Sequence, residues 1–429
     1  MTLKVQAFSK SSNFNSLGVE YDKNCIRMGY LISRYPSVSH TFILREVLQL
    51  RESGFKIFCA SVNEPDRGRD AMTSDELNEM DATYYLKKHG LMGAIYGHFF
   101  GLFHPIYYLR GLFYAFTYGG WNIKQCVFGL FYLTEALMLS RWMRVNNLKH
   151  LHIHFATAAA NIALFLKKST PFSISLTIHG PDEFYDAPGQ KLTEKIAVAD
   201  FLICISSFAR SQVMKLSPPN QWHKFEVCPL GVNIADYSIA HRDHPDRLFT
   251  ILCVGRLTPA KGQAILIEAC ALLRDSGKVF RLVLVGSGPD AQALRELVGV
   301  NKLDEQVTFT GDLNQAEVRA WYQESDVFAL PSFAEGVPVV LMEAMASGVP
   351  CVTTRITGIP ELIRDGIDGL LVTPSDVVEL VNTLSVLMND KTLRIKLGES
   401  GRARVSDRYN LQQNVIRLGQ IFSMRLTNE

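Results

Sequence analysis

The sequence predicts an α/β protein made of two doubly wound, Rossmann-like domains, and three observations lead there. Its 429 residues exceed what one hydrophobic core usually organises. A composition of 47% hydrophobic and 20% charged residues is globular and excludes a mostly disordered, collagen-like or coiled-coil chain. Short apolar runs alternate with helix-spaced segments along most of the length, the pattern of parallel sheets covered by helices.

Residues 1–24 are polar, with Lys4 and Lys10 but no apolar run before a cleavage-like site. They predict a flexible tail on a cytoplasmic protein rather than a secretory signal. Cys25 to Ser33 reads as a buried strand. Thr41 to Ser53 reads as an amphipathic helix carrying Phe42, Val47 and Leu50, which Gly54 stops, and Phe55 to Val62 as a second strand. Such a strand-helix-strand unit builds a parallel sheet. Residues 64–81 are acidic and turn-rich and predict a surface loop.

Residues 87–149 differ in composition. From Gly90 to Ile123 the only charged residue is Arg110, and aromatics crowd the stretch from Tyr96 to Trp121. Gly93, Gly97, Gly101, Pro105 and Gly119-Gly120 interrupt it, and His98 and His104 sit inside it, against a clean spanning helix of about 20 residues. Lys87, Lys88, Lys124, Arg141, Arg144 and Lys149 flank the segment, opposed by Glu135 alone. The expectation is helices that are partly core and partly a membrane-surface patch; plain buried helices are the competing reading.

From His150 the alternation resumes, with strands at His150 to Phe155, Ser173 to His179, Phe201 to Ser206 and Phe225 to Pro229. A polar connector containing Pro245 follows, and a second set of strands begins at Leu248 and closes at Leu370 to Val372. The expected domains are residues 25–235 and 236–408, with a helix in 409–429 packing back on the first. The formal net charge of +2 splits at residue 230 into +6 and −4, which suggests that the basic half meets an anionic surface. Eight cysteines without a Cys-x-x-Cys pair fit buried thiols in a reducing compartment.

The sharpest motif runs from Pro331 to Gly348. Glu335 precedes Gly336 at a strand-to-helix turn, and Glu343 follows about two turns along the expected helix. A helix start offers N–H groups and positive dipole to an anion, and carboxylates accept hydrogen bonds from sugar hydroxyls. Gly255-Arg256 and Lys261 lie in the loop outside the carboxyl end of the first strand of the second half, where open α/β sheets bind ligands. Arg forks onto phosphate oxygens and Lys acts as a point charge, so the two can neutralise a departing diphosphate. Gly286 and Gly288 end the next strand and permit close backbone approach, without the full spacing of a dinucleotide fingerprint. In the first half, Leu176 to Asp182 ends a strand with His179-Gly180, placing an imidazole at an interdomain cleft. His152 and His154 share a strand, and the expectation is that one faces the core and the other the cleft. With no carboxylate near them in sequence, no metal site is expected.

In this order and spacing, these elements resemble the retaining GT-B glycosyltransferases of family 4 over nearly the whole chain. Glu335 and Glu343 look like that family's E-x7-E signature, Gly255-Arg256 with Lys261 like its diphosphate clamp, and His179-Gly180 like its His-Gly segment. The resemblance implies two domains facing each other across a cleft. It implies that Arg256 and Lys261 bind the donor diphosphate, that Glu343 binds the ribose, and that Glu335, Gly336 and Val337 face the donor sugar. Gly255, Gly286 and Gly288 complete the implied donor site, and His179, Glu335, Arg256 and Lys261 are the candidate catalytic set. Tyr35 to Glu46 and His152 to Ala160 are similar to the subgroup that assembles bacterial exopolysaccharides of the colanic acid and amylovoran type. Many family members carry a Gly-Gly pair in the first loop, where this chain has Ser37, Ser39 and Thr41, whose hydroxyls can donate or cap a helix. Ser39, Thr41, His154 and Asp182 are the acceptor-side candidates.

The implied reaction moves a hexose from a nucleotide diphosphate sugar, a UDP- or GDP-hexose, to a lipid-diphosphate-linked oligosaccharide with retention. It would run at the inner face of the cytoplasmic membrane with no cofactor, no metal and no nucleic-acid partner; the chain has no Asp-x-Asp motif. Two alternatives stand beside it. A sugar-nucleotide epimerase of the same architecture needs a donor but no acceptor, and a membrane-associated nucleotide-sugar sensor or scaffold needs no turnover.

Overall fold

Strand β1 (Arg27–Arg34) is apolar on both faces: Met28, Tyr30 and Ile32 join one buried cluster and Leu31 another. A strand buried on both sides belongs at the centre of a parallel sheet. The computed structural model describes residues 26–37, 40–239 and 247–427, so the expected tail 1–24, Cys25 and Ser39 lie outside the described residues. After β1 come α1 (Thr41–Glu52), β2 (Lys56–Asn63), α2 (Ser74–Ala82), the short edge strand β3 (Tyr84–Tyr85), α3 (Gly90–Leu102), α4 (Pro105–Thr117) and α5 (Ile123–Val145). The domain continues with β4 (His150–His154), α6 (Ala158–Ser169), β5 (Ser173–Ile178), α7 (Leu192–Val198), β6 (Phe201–Cys204), α8 (Ser207–Lys215) and β7 (Phe225–Val227). Its sheet is parallel, in the order β3-β2-β1-β4-β5-β6-β7. The winding reverses between β1 and β4, which opens a crevice at the carboxyl ends of these strands.

The second domain repeats the plan with β8 (Phe249–Val254), α9 (Gln263–Asp275), β9 (Phe280–Val285), α10 (Ala291–Val300), β10 (Val307–Gly311), α11 (Gln315–Gln323) and β11 (Val327–Leu330). It ends with α12 (Val339–Ala346), β12 (Cys351–Thr354), α13 (Ile359–Leu362), β13 (Leu370–Val372), α14 (Val377–Asn389) and α15 (Lys391–Arg408). The parallel order β10-β9-β8-β11-β12-β13 places its own switch point between β8 and β11. Cys253, Cys270 and Cys351 are buried in this domain's core.

The chain then crosses back. The Val232 N–H donates to the Tyr409 carbonyl and the Leu411 N–H donates to the Val232 carbonyl, and α16 (Leu411–Leu426) lays Val415, Leu418, Ile421 and Phe422 against Val47 and Leu50 of α1.

One expectation about the elements needs correction. Residues 64–81 are not simply a loop, because Thr73 and Glu76 close a capping box that starts α2. The acidic composition concealed a Thr-x-x-Glu start signal. Within 87–149 the helices are partly core and partly exposed apolar surface, as expected, and not the plain buried helices of the competing reading. Three helices form, and α5 alone is long and apolar enough to cross a membrane by length and composition. Its second half is rooted in the domain core through Leu133, Ala136, Leu139 and Met143. More than half of the exposed large apolar side chains of the described residues fall between Leu91 and Phe131, among them Phe113, 72% exposed, and Trp121, fully exposed.

Candidate active site

The loop after β5 touches the loop after β11. A Cβ on Gly336 would lie 2.0 Å from the carbonyl oxygen of His179, and one on Gly180 would lie 3.1 Å from the Cα of Gly336. Only glycine permits that approach. A second bridge comes from Glu361 of α13, whose carboxylate accepts hydrogen bonds from the backbone N–H groups of Ser207 (2.8 Å) and Phe208 (2.7 Å) at the start of α8. A helix N-terminus favours such a negative group.

Within the second domain, a short turn, Pro259–Lys261, aims Lys261 at the loop after β11. Its Nζ lies 2.6 Å from Oε1 of Glu335, and the Ser332 hydroxyl donates to the same oxygen at 2.8 Å. Thr357 donates to the backbone carbonyl of Glu335 at 2.5 Å, fixing the loop from the far side. Glu335 is buried, yet it stands four residues ahead of α12, which begins at Val339 behind Pro338. It is therefore not at the helix mouth, and Glu343 is little more than one turn into the helix rather than two. The Pro338 ring and its φ of −66° delay the helix start. Val337 is buried in the core beneath the loop.

Glu343 accepts from the hydroxyls of Tyr237 (2.9 Å) and Tyr322 (3.2 Å), and Arg45 of α1 approaches it to 3.6 Å from the other domain. Arg256 is exposed and lies across the cleft from His40. Burial, together with His154 and Arg256, pushes the His40 imidazole down to about 4. The glycines after β9 serve backbone packing: a Cβ on Gly286 would meet the Gly255 carbonyl oxygen at 2.3 Å, and one on Gly288 the Leu257 carbonyl at 2.2 Å. Their close approach is to the Arg256 loop itself, which they hold in place.

On the first domain, His150, His152 and His154 are all buried. The expectation that His152 and His154 face opposite ways is wrong, because residues two apart on a strand share a face. His150 and His152 are bonded at both ring nitrogens to the hydroxyls of Ser173, Ser175 and Thr177 on β5. His154 instead joins Glu46 Oε1 at 3.2 Å and His179 Nε2 at 3.0 Å. The carboxylate missing from the local sequence thus arrives from α1, and Glu46, His152 and His154 offer ligand atoms within 4.8 Å of one another. Both His152 nitrogens are already hydrogen-bonded, so the cluster is a hydrogen-bond network as it stands.

Asp182, a sequence candidate, is exposed; its neighbour Glu183 is the buried residue that shapes the loop. Glu183 accepts from the N–H groups of Ala156 and His179 (both 2.5 Å) and Gly180 (2.9 Å). Pro181 at the first position of the turn and an acid at its third were the available signal. Thr41 is the first residue of α1, and His40 rather than Thr41 is the N-cap.

Residues 249–390 match the family model described as Glycosyl transferases group 1. The second domain is a group 1 glycosyltransferase domain. Over nearly its whole length the chain is 25% identical to the amylovoran biosynthesis glycosyltransferase AmsK of Erwinia amylovora, across 90% of this chain and 96% of that protein. It is 27% identical to the putative colanic acid biosynthesis glycosyltransferase WcaL of Escherichia coli, across 84% and 90%. The structure of Anabaena Alr3699/HepE in complex with UDP superposes with a TM-score of 0.68 at 15% identity, covering 93% of this chain and all of that one. The two facing Rossmann-like domains are accordingly the GT-B fold, with the glycosyltransferase domain contributing Lys261, Glu335 and Glu343 to the cleft.

Proposed function

We propose that this protein is a retaining, metal-independent family 4 glycosyltransferase of exopolysaccharide synthesis, moving a hexose from a UDP- or GDP-hexose to a lipid-diphosphate-linked oligosaccharide. The observation that carries the reading is the meeting of His179-Gly180 with Glu335-Gly336 beside Lys261, in a chain similar along its length to AmsK and WcaL. In this reading the bond from the anomeric carbon to the diphosphate breaks, and the acceptor oxygen bonds to that carbon on the same face. The hydroxyl proton passes to the departing diphosphate. Arg256 and Lys261 balance the charge that gathers there, and contact between the domains excludes water that would otherwise hydrolyse the donor.

The apolar face of α3, α4 and the first half of α5 supports a peripheral position on the cytoplasmic membrane. Exposed Phe99, Phe113 and Trp121 are of the type that enters the interface of a bilayer, and the exposed cations Lys88, Arg110 and Lys124 suit anionic headgroups. That location would put a lipid-linked acceptor within reach of the basic first domain.

The test is purified protein incubated with labelled UDP- and GDP-hexoses, with and without a lipid-diphosphate acceptor, and with and without a chelator. Label transferred only when acceptor is present, and unaffected by chelator, supports the reading. Conversion of the donor sugar without acceptor would favour an epimerase, and binding without any turnover a sensor.

A further inference from the structure

The hydrogen bonds around His179 form a directed chain. Tyr30 Oη donates to Glu46 Oε1 at 2.9 Å, His154 Nε2 lies 3.2 Å from the same oxygen, and His154 Nδ1 lies 3.0 Å from His179 Nε2. An ionised carboxylate only accepts, so the nitrogen of His154 that faces Glu46 carries the proton. A neutral His154 is then bare at Nδ1, and it accepts the proton that His179 must carry on Nε2. His179 is left with a bare Nδ1, which has no hydrogen-bond partner among the described residues and is not among their sealed, unsatisfied atoms. The rings of Phe42 and Phe155, centred 5.2 and 4.2 Å from that of His179, hold the imidazole in this orientation. Glu183 fixes its backbone.

We propose that Glu46 and His154 are positioning residues that lock His179 in the Nε2–H tautomer, so that its Nδ1 accepts a hydrogen bond from a hydroxyl of the donor sugar. The inference rests on the reading of the cleft as a sugar-nucleotide site. An imidazolium, or the opposite tautomer, would present an N–H and favour phosphate oxygens instead. A bare nitrogen selects a hydroxyl and leaves the diphosphate to Arg256 and Lys261. Burial supports the neutral form of His179, holding its imidazole well below the usual range. The device costs the chain a long-range arrangement: Glu46 sits on α1, and its two histidine neighbours on and after strands of the same sheet.

Long-range proton–nitrogen correlation spectra of the full chain labelled with 15N-histidine report the tautomer directly. The expected wild-type spectrum shows His179 protonated at Nε2 and bare at Nδ1, and addition of a nucleotide sugar, but not of the nucleoside diphosphate alone, shifts the Nδ1 resonance. In Glu46→Leu the tautomers mix and kcat/KM for transfer falls roughly tenfold, the worth of one hydrogen bond, while nucleoside diphosphate affinity stays put. Glu46→Gln, whose amide oxygen can still accept from His154, recovers most of that loss. A wild-type His179 protonated at Nδ1, or a Glu46→Leu spectrum identical to wild type, overturns the relay and leaves the transfer reading standing. The expected tautomer with an Nδ1 resonance that no nucleotide sugar moves overturns the hydroxyl contact and counts against the transfer reading too.

Discussion

Nζ of Lys261 lies 2.6 Å from Oε1 of Glu335, a contact that ties the loop after β8 to the loop after β11 at the floor of the cleft. Both side chains are largely shielded from solvent, 20% and 7% exposed. A shielded cation left without its partner is costly, so on the proposed reading a bound diphosphate would compete with Glu335 for Lys261.

That competition gives the first prediction. Replacing the carboxylate in Glu335→Gln frees Lys261 for the diphosphate, so UDP or GDP alone should bind roughly threefold or more tightly in calorimetry. Transfer to acceptor should nevertheless fall by about 100-fold or more if Glu335 faces the reacting sugar as proposed, because that group has then lost its charge.

Gly336 supplies the second. An alanine there places a methyl group 2.0 Å from the carbonyl oxygen of His179, so the two domains cannot meet as they do. The expected result for Gly336→Ala is a loss of about 100-fold in kcat/KM, the penalty for a small misplacement of reacting groups. Its affinity for free nucleotide, measured by calorimetry, should stay near wild type.

A third concerns pH. Burial pushes the Glu183 carboxyl up to about 7 and the Lys195 ammonium down to about 7. Between about pH 4.5 and 7 the folded chain holds a proton at Glu183 that the unfolded chain has released, so stability falls as pH rises. Between about pH 7 and 10.5 the unfolded chain holds a proton on Lys195 that the folded chain has lost, so stability rises. Denaturation midpoints from pH 5 to 9 should therefore dip near neutrality, and the dip should vanish in the Glu183→Gln, Lys195→Met double variant.

The apolar helices give a fourth. Ile106 and Phe113 of α4 are both 72% exposed. Aspartate at both positions should cut flotation with anionic vesicles by roughly fivefold or more, through lost apolar insertion and added repulsion. Transfer to a short, water-soluble acceptor should be unaffected. Flotation equal to wild type would mean that another surface meets the lipid.

Much of this was legible in the sequence for a physical reason: central parallel strands such as Phe249–Val254 are buried on both faces and appear as continuous apolar runs. The Lys261 and Glu335 motifs were equally plain, because each is a short loop fixed by local glycines and prolines. Less legible was anything that depends on which strands become neighbours. Glu46, Arg45 and Tyr237 reach the site from α1 and from the connector between the domains, at separations that no local pattern encodes. The histidines of β4 share a face through the two-residue period of a strand, and the capping box that starts α2 lies within an acidic stretch whose composition suggests a loop. The apolar helices were recognisable by composition, but which of their faces is exposed follows only from how α5 docks on α6.

The central claim, that this cleft transfers a hexose with Arg256 and Lys261 balancing the diphosphate, meets its most direct test in initial transfer rates. Wild type and the Arg256→Ala, Lys261→Ala double variant should be compared with the same nucleotide hexose and lipid-diphosphate acceptor. The account predicts acceptor-dependent transfer by the wild type and a loss of about 1,000-fold or more in a double variant whose circular dichroism is unchanged. A folded double variant that transfers at the wild-type rate would contradict it.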